Sequence, residues 1–421
     1  MNTTRNLLMC AFQAALHAAS PQRLVPAHLP APPMGKTLVV GGGKAAAPMA
    51  KAVEDNWPQD APLTGLVITR YGHGLPTTRI KIVEAGHPLP DDRGIKAVRQ
   101  MRDEIQQLSQ DDLLLVLLSG GGSSLLALPD SCISLDDLRH VTRSLLASGA
   151  PIQEINTVRK HLTLFSGGRV AALSAAPVVS LILSDVVGND PTHIASGPCA
   201  PDPTSYEDAL ATLSRYSINP PDSILKHLQR GLRGEIPDTP KPGDAQFRRT
   251  ENHVIGSAMQ SLNAAESYLR MQGFCVVNLG EIEGEASEVA RQHAAMLLQE
   301  RRRTRGSLAL LSGGETSVTV RNPAGHGGRN TEYLLALGLA MRGATNFWAM
   351  ACDTDGIDGT EGNAGAVWTP DTHARSIELG LHAQDLLHSN NAYEFFRALD
   401  DLVTTGPTRT NVNDFRLALL V

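Results

Sequence analysis

The chain contains an unbroken apolar segment, Leu113–Leu118, that runs directly into a serine and three glycines. A short, fully apolar run is typical of a strand buried on both faces of a parallel sheet. Glycines allow a sharp turn and let backbone N–H groups approach a ligand closely. A helix predicted from about Leu125 to Leu128 would add a positive N-terminus. The stretch therefore predicts an α/β fold with an anion site at the turn. The turn consists of Ser119, Gly120, Gly121, Gly122 and Ser123.

The chain repeats this pattern of an apolar strand followed by glycines. Leu308–Leu311 runs into Ser312, Gly313, Gly314 and Glu315, and Leu38–Val40 runs into Gly41–Lys44. Three such turns predict a site walled by backbone amides. The turn at 119–123 is not a Walker A loop, because no Gly-Lys-Ser/Thr follows at the required spacing. A tight β–α turn without a ligand remains the alternative interpretation.

Length and composition predict two ordinary globular domains. The 421 residues exceed the usual size of one domain, and 42% apolar residues supply full cores. A Pro-rich segment around Ile236–Pro242 places the boundary between residues 1–248 and 249–421. The net charge of −6, without a basic stripe interleaved with aromatics, argues against nucleic acid as a partner.

The cysteines and the apolar stretches predict a cytoplasmic protein. The five cysteines are scattered and lack CxxC spacing, which is typical of reduced thiols. No apolar stretch approaches the roughly 20 residues that a membrane-spanning helix needs. Apolar residues at positions 8, 11, 12, 15 and 16 fit one face of an N-terminal helix that ends near Pro21, rather than a signal peptide.

Cationic side chains at predicted helix starts mark candidate ligand contacts. Lys44 and Arg329 each follow glycines and precede a helix, where a cation opposes the helix dipole. A guanidinium can grip a carboxylate or phosphate with two parallel hydrogen bonds. A solvated surface lysine is the alternative for Lys44. Arg159, Lys160 and His161 could neutralise a polyphosphate or lie on a solvated helix face.

Carboxylates at the ends of buried strands are candidate Mg²⁺ ligands. Asp185 and Asp190 follow the apolar strand Val178–Leu183, and Asp355 follows Phe347–Ala351. Mg²⁺ is usually held by one or two carboxylates together with water and substrate phosphate. Asp355 could instead accept a hydroxyl proton, as an aspartate does in kinases. The alternative for each is an Asx turn, an Asp/Gly turn or a helix cap.

A dinucleotide fingerprint is formally present but incomplete. Gly41, Gly43 and Ala46 have the required spacing. An NAD-binding unit would also need an acidic residue at the end of the next strand. That strand, Gly65–Ile68, is followed by Thr69 and Arg70.

Seven motifs taken together resemble the glycerate 2-kinase family, which carries a C-terminal MOFRL domain. They are Val39–Ala46, Leu118–Ser123, Val158–Leu162, Ser184–Pro191 with Ile194–Pro198, Ser312–Thr316, Gly327–Glu332 and Asp353–Gly359. The resemblance implies ATP- and Mg²⁺-dependent phosphorylation of D-glycerate to 2-phosphoglycerate. It also implies a Rossmann-like N-terminal domain and a smaller C-terminal α/β domain, with the active site between them. The functional lysine and arginine of the family match Lys44 and Arg329.

The resemblance assigns roles to the candidate residues. The turns at 119–123 and 313–315 would hold the ATP phosphates, and Asp185, Asp190 or Asp355 would hold Mg²⁺. Lys44 and Arg329 would bind glycerate or the transferred phosphoryl group. The chain departs from the family's more frequent Lys, Asp, Gln and Asp at Ser166, Asn189, Thr331 and Asn363.

Two other function classes stay open. An NAD(P)H-dependent hydroxypyruvate reductase would share the substrate class, and family members often bear that name. A non-catalytic ligand-binding protein would bind a nucleotide without releasing ADP. The pattern leaves a homo-oligomer open.

Overall fold

The computed structural model describes residues 2–421 of the chain. The strands are β1 Thr37–Gly42, β2 Leu63–Arg70, β3 Ile80–Ala85, β4 Leu113–Leu118, β5 Val178–Leu183, β6 Thr250–Gly256, β7 Cys275–Glu281, β8 Gly284–Glu285, β9 Leu308–Gly313, β10 Thr316–Ser317, β11 Phe347–Asp353, β12 Gly365–Trp368, β13 Leu402–Val403 and β14 Asp414–Leu420.

Helices connect most of these strands. They are α1 Asn2–Ala18, α2 Pro21–Leu24, α3 Ala46–Asn56, α4 Asp92–Ile105, α5 Gly122–Leu125, α6 Leu135–Ala147, α7 Ile152–Lys160, α8 Arg169–Leu173, α9 Tyr206–Arg215, α10 Asp222–Leu232, α11 Ala258–Met271, α12 Ala286–Arg303, α13 Arg329–Ala340, α14 Thr372–Glu378, α15 Ala383–His388 and α16 Ala392–Ala398. Short 3₁₀ turns occur at Pro26–His28, Ile194–Ser196 and Ala245–Arg249.

The N-terminal unit, residues 21–255, is built on a six-stranded sheet in the order β3-β2-β1-β4-β5-β6. Strands β3, β2, β1, β4 and β5 run parallel. This order reverses between β1 and β4, at the point where doubly wound folds bind ligands beyond the carboxyl ends of the strands. The predicted Rossmann-like α/β architecture is confirmed.

Strand β4 is buried throughout, as its composition predicts. Its side chains are at most 6% exposed. Leu114, Val116 and Leu118 join the core on one face of the sheet. Leu113, Leu115 and Leu117 join the core on the other face. An unbroken apolar run is therefore required here, because neither face of this strand meets water.

The C-terminal unit combines residues 2–20 with residues 256–421. Its sheet has the order β13-β12-β11-β14-β9-β7. Only the pair β7–β9 runs parallel among the pairs described, and the remaining neighbours in this sheet are antiparallel. Strands β8 and β10 form a separate parallel pair.

Helix α1 follows the predicted amphipathic pattern but belongs to the C-terminal unit. Leu8, Ala11, Phe12 and Ala15 are fully buried in one core with residues of α11 and β14. The rings of Phe12 and Phe415 lie 5.4 Å apart between centroids. The apolar face of α1 thus groups residues 2–20 with the second half of the chain. The second division falls after Ile255, seven residues beyond the expected boundary at 248.

One predicted helix is displaced. The helix expected over Leu125–Leu128 is α5, Gly122–Leu125, which starts earlier because Gly121 adopts φ +82° as its N-cap. Within residues 2–421, no helix combines the length and the apolar character needed to cross a bilayer.

Candidate functional site

The glycine turns after β1 and β4 lie against each other at the topological switch point. Gly42 and Leu118 are register partners, so the two strands end at the same level. The N–H of Lys44 donates to the carbonyl of Gly120 at 2.8 Å, and the N–H of Ala45 donates to Ser119 Oγ at 3.0 Å. Ser119 is fully buried. The structure therefore brings two of the three predicted turns into direct contact.

The close approach of these turns requires glycine. A Cβ at Gly43 would lie 2.2 Å from Ser119 Oγ, and one at Gly122 would lie 2.5 Å from the Cβ of Ala195. Both distances are below van der Waals contact. The glycines that predict a ligand site in the sequence are thus also required by packing, because a Cβ at position 43 or 122 would overlap its neighbours.

Lys44 and His87 flank the same point of the turn. Lys44 is partly exposed and immediately precedes Ala45, the N-cap of α3. A Cβ at Gly121 would lie 3.4 Å from Lys44 Cγ and 2.9 Å from the His87 ring. The cation and the imidazole therefore border the backbone of Gly121.

The two aspartates after β5 have different surroundings. β5 pairs with β4, so Asp185 follows the strand next to the glycine turn, and it is partly exposed. Asp190 is exposed and accepts the N–H of Thr192 at 2.8 Å, with His193 Nε2 at 3.9 Å. Burial alone would raise the pKa of Asp190, but the bonds from Thr192 and the charge of His193 lower it overall. Asp190 therefore makes a local turn contact, which is the alternative to Mg²⁺ binding that the sequence left open.

A left-handed turn supports the β4 turn and was not predicted. Ala195, Ser196 and Gly197 have φ values of +51°, +60° and +61°. Such conformations are costly for residues with a Cβ and occur often at functional sites. Ser196 Oγ lies 3.0 Å from Asn156 Oδ1 and 2.8 Å from Ser123 Oγ. The Ser196 hydroxyl is thus placed to donate to either Ser123 or Asn156.

Arg329 lies at the start of α13 in the C-terminal unit and is bound by three carboxylates. Its Nε donates to Asp414 at 2.8 Å, one terminal nitrogen donates to Glu315 at 2.6 Å, and the other donates to Asp353 at 2.8 Å. Burial alone would lower the pKa of Arg329, but Asp414, Glu315 and Asp353 raise it well above its usual value. We call these four residues the carboxylate ring.

A second arginine, Arg416, is fully buried beside the carboxylate ring. It pairs with Asp414 Oδ2 at 3.0 Å and donates to the carbonyls of Ile282 and Gly313. Its guanidinium lies 5.5 Å from the centroid of the Tyr333 ring. The only sequence signal for it was a charged residue inside the apolar terminal strand β14.

The N-terminus of α13 is occupied by a carboxylate of the same unit. Buried Asp358 accepts the backbone N–H groups of Asn330 at 2.9 Å and Thr331 at 2.8 Å. Burial raises the pKa of Asp358 despite these bonds. Nearby Asp355 is 1% exposed, and its Oδ1 accepts the N–H of Ile357 at 2.8 Å. Asp358 therefore provides the charge that this helix start attracts.

The turn after β9 differs from the turn after β4. Gly314 adopts φ +85°, and a Cβ there would lie 2.5 Å from the backbone nitrogen of Ile282. Its carbonyl accepts the N–H of Asp414 at 3.1 Å. Gly313 accepts from Ile282 at 3.0 Å, and Glu315 extends outward to Arg329. The contacts of Gly313 and Gly314 hold strands of this unit together.

The basic cluster of α7 is partly neutralised inside the N-terminal unit. Lys160 is 1% exposed and lies 3.2 Å from Asp202, which is also buried. His161 Nε2 lies 3.0 Å from Asp238. For these two residues the interpretation as a solvated helix face is wrong, because both are buried and carboxylates from distant loops pair with them. A polyphosphate contact stays a prediction.

Comparisons with known proteins cover almost the whole chain. A family model described as a domain of unknown function (DUF4147) matches residues 7–229, and the MOFRL family model matches residues 308–414. A glycerate 2-kinase of Pyrococcus horikoshii is 38% identical over 92% of this chain and 88% of its own length. The chain belongs to the glycerate 2-kinase family.

Structural similarity agrees with this membership. The crystal structure of a glycerate kinase from Thermotoga maritima superposes with a TM-score of 0.87 at 36% identity, with all of both chains covered. An Agrobacterium vitis protein that is 45% identical, over 99% of this chain and 95% of its own length, carries a provisional hydroxypyruvate reductase name. Both names that the sequence resemblance implied therefore occur among relatives of this family member.

Proposed function

We propose that this protein is a cytoplasmic glycerate 2-kinase that transfers the terminal phosphoryl group of ATP to the 2-hydroxyl of D-glycerate. The observation that supports this most is the pair of glycine turns at the switch point of the parallel sheet, bordered by Lys44. Backbone amides and a helix start at such a point suit the phosphates of a nucleotide. The full-length similarity to glycerate kinases supports the same activity.

The N-terminal unit would hold the charged part of the nucleotide. Gly120, Gly121 and Gly122 would approach the phosphates through their backbone, with Ser119 and Ser123 in the same turn. Lys44 would neutralise charge that develops on the transferred group. Catalysis in phosphoryl transfer rests mainly on positioning and on such neutralisation.

Asp185 fits a role in holding Mg²⁺. It is a partly exposed carboxylate beyond a buried strand, next to the glycine turn, and Mg²⁺ prefers oxygen ligands of this kind. Asp190 is a second candidate, although one of its oxygens already accepts from Thr192. Mg²⁺, when bound, would neutralise phosphate charge.

The C-terminal unit would contribute through Arg329 and Asp355. Three N–H groups of Arg329 are used within the carboxylate ring, so two remain for a substrate oxyanion. Asp355 would accept the proton of the substrate hydroxyl. The Gly313–Glu315 turn is retained as a second candidate phosphate contact.

A coupled assay of ADP release tests the proposal. D-glycerate, hydroxypyruvate and tartrate would each be offered with ATP and Mg²⁺, and the product identified by NMR. ADP formation with D-glycerate and a 2-phosphorylated product is the expected result. ADP formation with none of these acids would contradict the kinase, and nucleotide binding in that case would support a binding protein.

A reductase is the second candidate, because a relative carries that name. It predicts loss of NADH or NADPH absorbance with hydroxypyruvate in the absence of ATP. Strand β2 ends at Arg70 rather than at an acidic residue that would bind ribose hydroxyls. Oxidation of NADH or NADPH under these conditions would contradict the kinase proposal and support the reductase.

A further inference from the structure

Arg159 differs from the two basic residues that follow it. Lys160 and His161 lie 3.2 Å and 3.0 Å from the carboxylates of Asp202 and Asp238. Within residues 2–421, the Arg159 guanidinium makes no hydrogen bond or ion pair with the protein, whereas the Arg159 backbone carbonyl accepts from Thr163. Of these three consecutive basic side chains, Lys160 and His161 thus pair with carboxylates, whereas Arg159 has no acceptor in the part of the chain that the structure describes.

The surroundings of Arg159 are uncharged. Arg159 is partly buried and borders a cavity of about 10 Å³ whose other lining residues are all uncharged, among them Ser123, Ser124, Thr163 and Ser166 on the polar side and Ala127 and Leu138 on the apolar side. A cavity of this size holds about one water molecule or one ligand oxygen. Burial lowers the pKa of Arg159 to about 10, so the guanidinium is still charged at neutral pH.

The cavity is continuous with the candidate phosphate turn. Ser123 and Ser124 belong to α5, which begins directly after the glycines that follow β4. The Ser196 hydroxyl bridges Ser123 and Asn156, which lies about one helical turn before Arg159 on α7. Among the described residues that line the cavity, Arg159 is the one that carries a charge, so the positive charge for a ligand at this end of the turn would come from it.

A partly buried cation without an anion is expensive. Removal of a charged group from water costs several kcal/mol unless a partner replaces the solvent. The chain provides such partners for Lys160 and His161, but within residues 2–421 it provides none for Arg159. An anionic ligand would provide the missing partner, and the cavity has room for one oxygen of its carboxylate or phosphate beside the guanidinium.

We propose that Arg159 binds a substrate oxyanion at the Ser123–Ser124 end of the glycine turn. The oxyanion is either the carboxylate of the hydroxy acid or a phosphate of the nucleotide. This proposal rests on the proposed kinase function. It makes Arg159 a substrate-binding residue in addition to Lys44 and Arg329.

Arg159→Met tests the proposal, because it removes the charge and keeps an unbranched side chain. We expect the KM for one substrate to rise 10-fold or more, with a smaller change in kcat. A rise confined to D-glycerate identifies the carboxylate, and a rise confined to ATP identifies the phosphate. Arg159→Lys should recover only part of the affinity. Arg143→Met is the matched control, because Arg143 is exposed on α6 of the same unit.

Thermal unfolding distinguishes ligand binding from a structural role. Without ligand, Arg159→Met should unfold at the wild-type temperature or above it, because an unpaired charge has been removed. Addition of D-glycerate or tripolyphosphate should raise the unfolding temperature of the wild type and of Arg143→Met, but raise that of Arg159→Met much less. Unchanged KM values for both substrates, or a lowered unfolding temperature with unchanged ligand shifts, would overturn the proposal. If the wild type releases no ADP, the kinase proposal fails, and these ligand shifts still decide the binding role of Arg159.

Discussion

The two cations that the sequence singled out, Lys44 and Arg329, lie in contrasting environments. Lys44 borders a glycine turn in the N-terminal unit. Arg329 lies in the carboxylate ring of the C-terminal unit, where Asp353, Asp414 and Glu315 each accept from it. The same argument, a cation that opposes a helix dipole, led to both residues. The contacts of Arg329 teach that a cation that opposes a helix dipole can be held by carboxylates of its own unit, so the dipole argument alone does not indicate a ligand.

Arg329→Met should have the largest effect on stability. Loss of the guanidinium would leave the buried carboxylates of Asp353 and Asp414 and the more exposed Glu315 without their shared cation. Removal of one partner from a buried ion pair typically costs about 3–5 kcal/mol. We therefore expect a clear drop in the urea midpoint of this variant together with a loss of activity. Arg342→Met, an exposed position just after α13, is the control.

An Arg329→Met variant with wild-type stability and reduced turnover would break the comparison. It would show that the ring does not depend on the guanidinium and that Arg329 acts mainly on substrate. The sequence argument alone predicts that outcome, because it considers only the ligand. The ion pairs predict the combined loss.

Lys44→Met should reduce turnover strongly with only a small loss of stability. Loss of one group that stabilises developing charge commonly costs about 10²–10³ in kcat. Lys44 is partly exposed, and its backbone contact with Gly120 does not involve the side chain, so the unfolding midpoint should fall much less than in Arg329→Met. Steady-state kinetics and urea unfolding measure the two effects separately, with exposed Lys96→Met on α4 as control. Wild-type turnover in Lys44→Met would remove Lys44 from the proposed machinery.

Acid should affect the C-terminal unit through His293. This residue is 2% exposed, lies 2.8 Å from the hydroxyl of Tyr333, and has its pKa lowered to about 4 by burial and by Arg416. The folded state favours neutral His293, whereas an unfolded histidine takes up a proton near pH 6.5. Stability should therefore be complete above pH 6.5 and fall as the pH drops toward 4, by about 2 kcal/mol at pH 5.

His293→Gln isolates this effect, because glutamine can still bond to Tyr333 but does not ionise. Urea unfolding between pH 7 and 5 should show a shallower decline in the variant than in the wild type. Parallel curves would show that other groups cause the acid sensitivity. In that case the acid sensitivity of the C-terminal unit would not come from His293.

The sequence predicted those strands whose bounds are set by residues adjacent in the chain. The bounds of β4 and β5 agree with the prediction, because unbroken apolar runs define them. The partners of the charged residues could not be predicted in the same way. Arg329 meets Asp353 and Asp414, which lie 24 and 85 positions further along the chain. A helix-dipole argument uses only the local chain, so it cannot include carboxylates that the sheet brings to the same place.

The strained turn at Ala195 offers the smallest test and extends the comparison to the backbone. Ala195 has φ +51°, and its Cβ packs over Gly122 in the candidate phosphate turn. Glycine would relieve about 1–2 kcal/mol of left-handed strain but lose about 0.5–1 kcal/mol in chain entropy. We expect Ala195→Gly to raise stability by about 0.5 kcal/mol in urea unfolding. Ala171→Gly within α8 is the control and should lower stability, because a helical glycine costs chain entropy without relief of strain and the buried methyl group is also lost. If Ala195→Gly is stabilised but has a higher KM for ATP, the strain holds the glycine turn in its binding conformation. Lower stability in Ala195→Gly would mean that contacts of the methyl group outweigh the strain, and the turn would then be an ordinary part of the core.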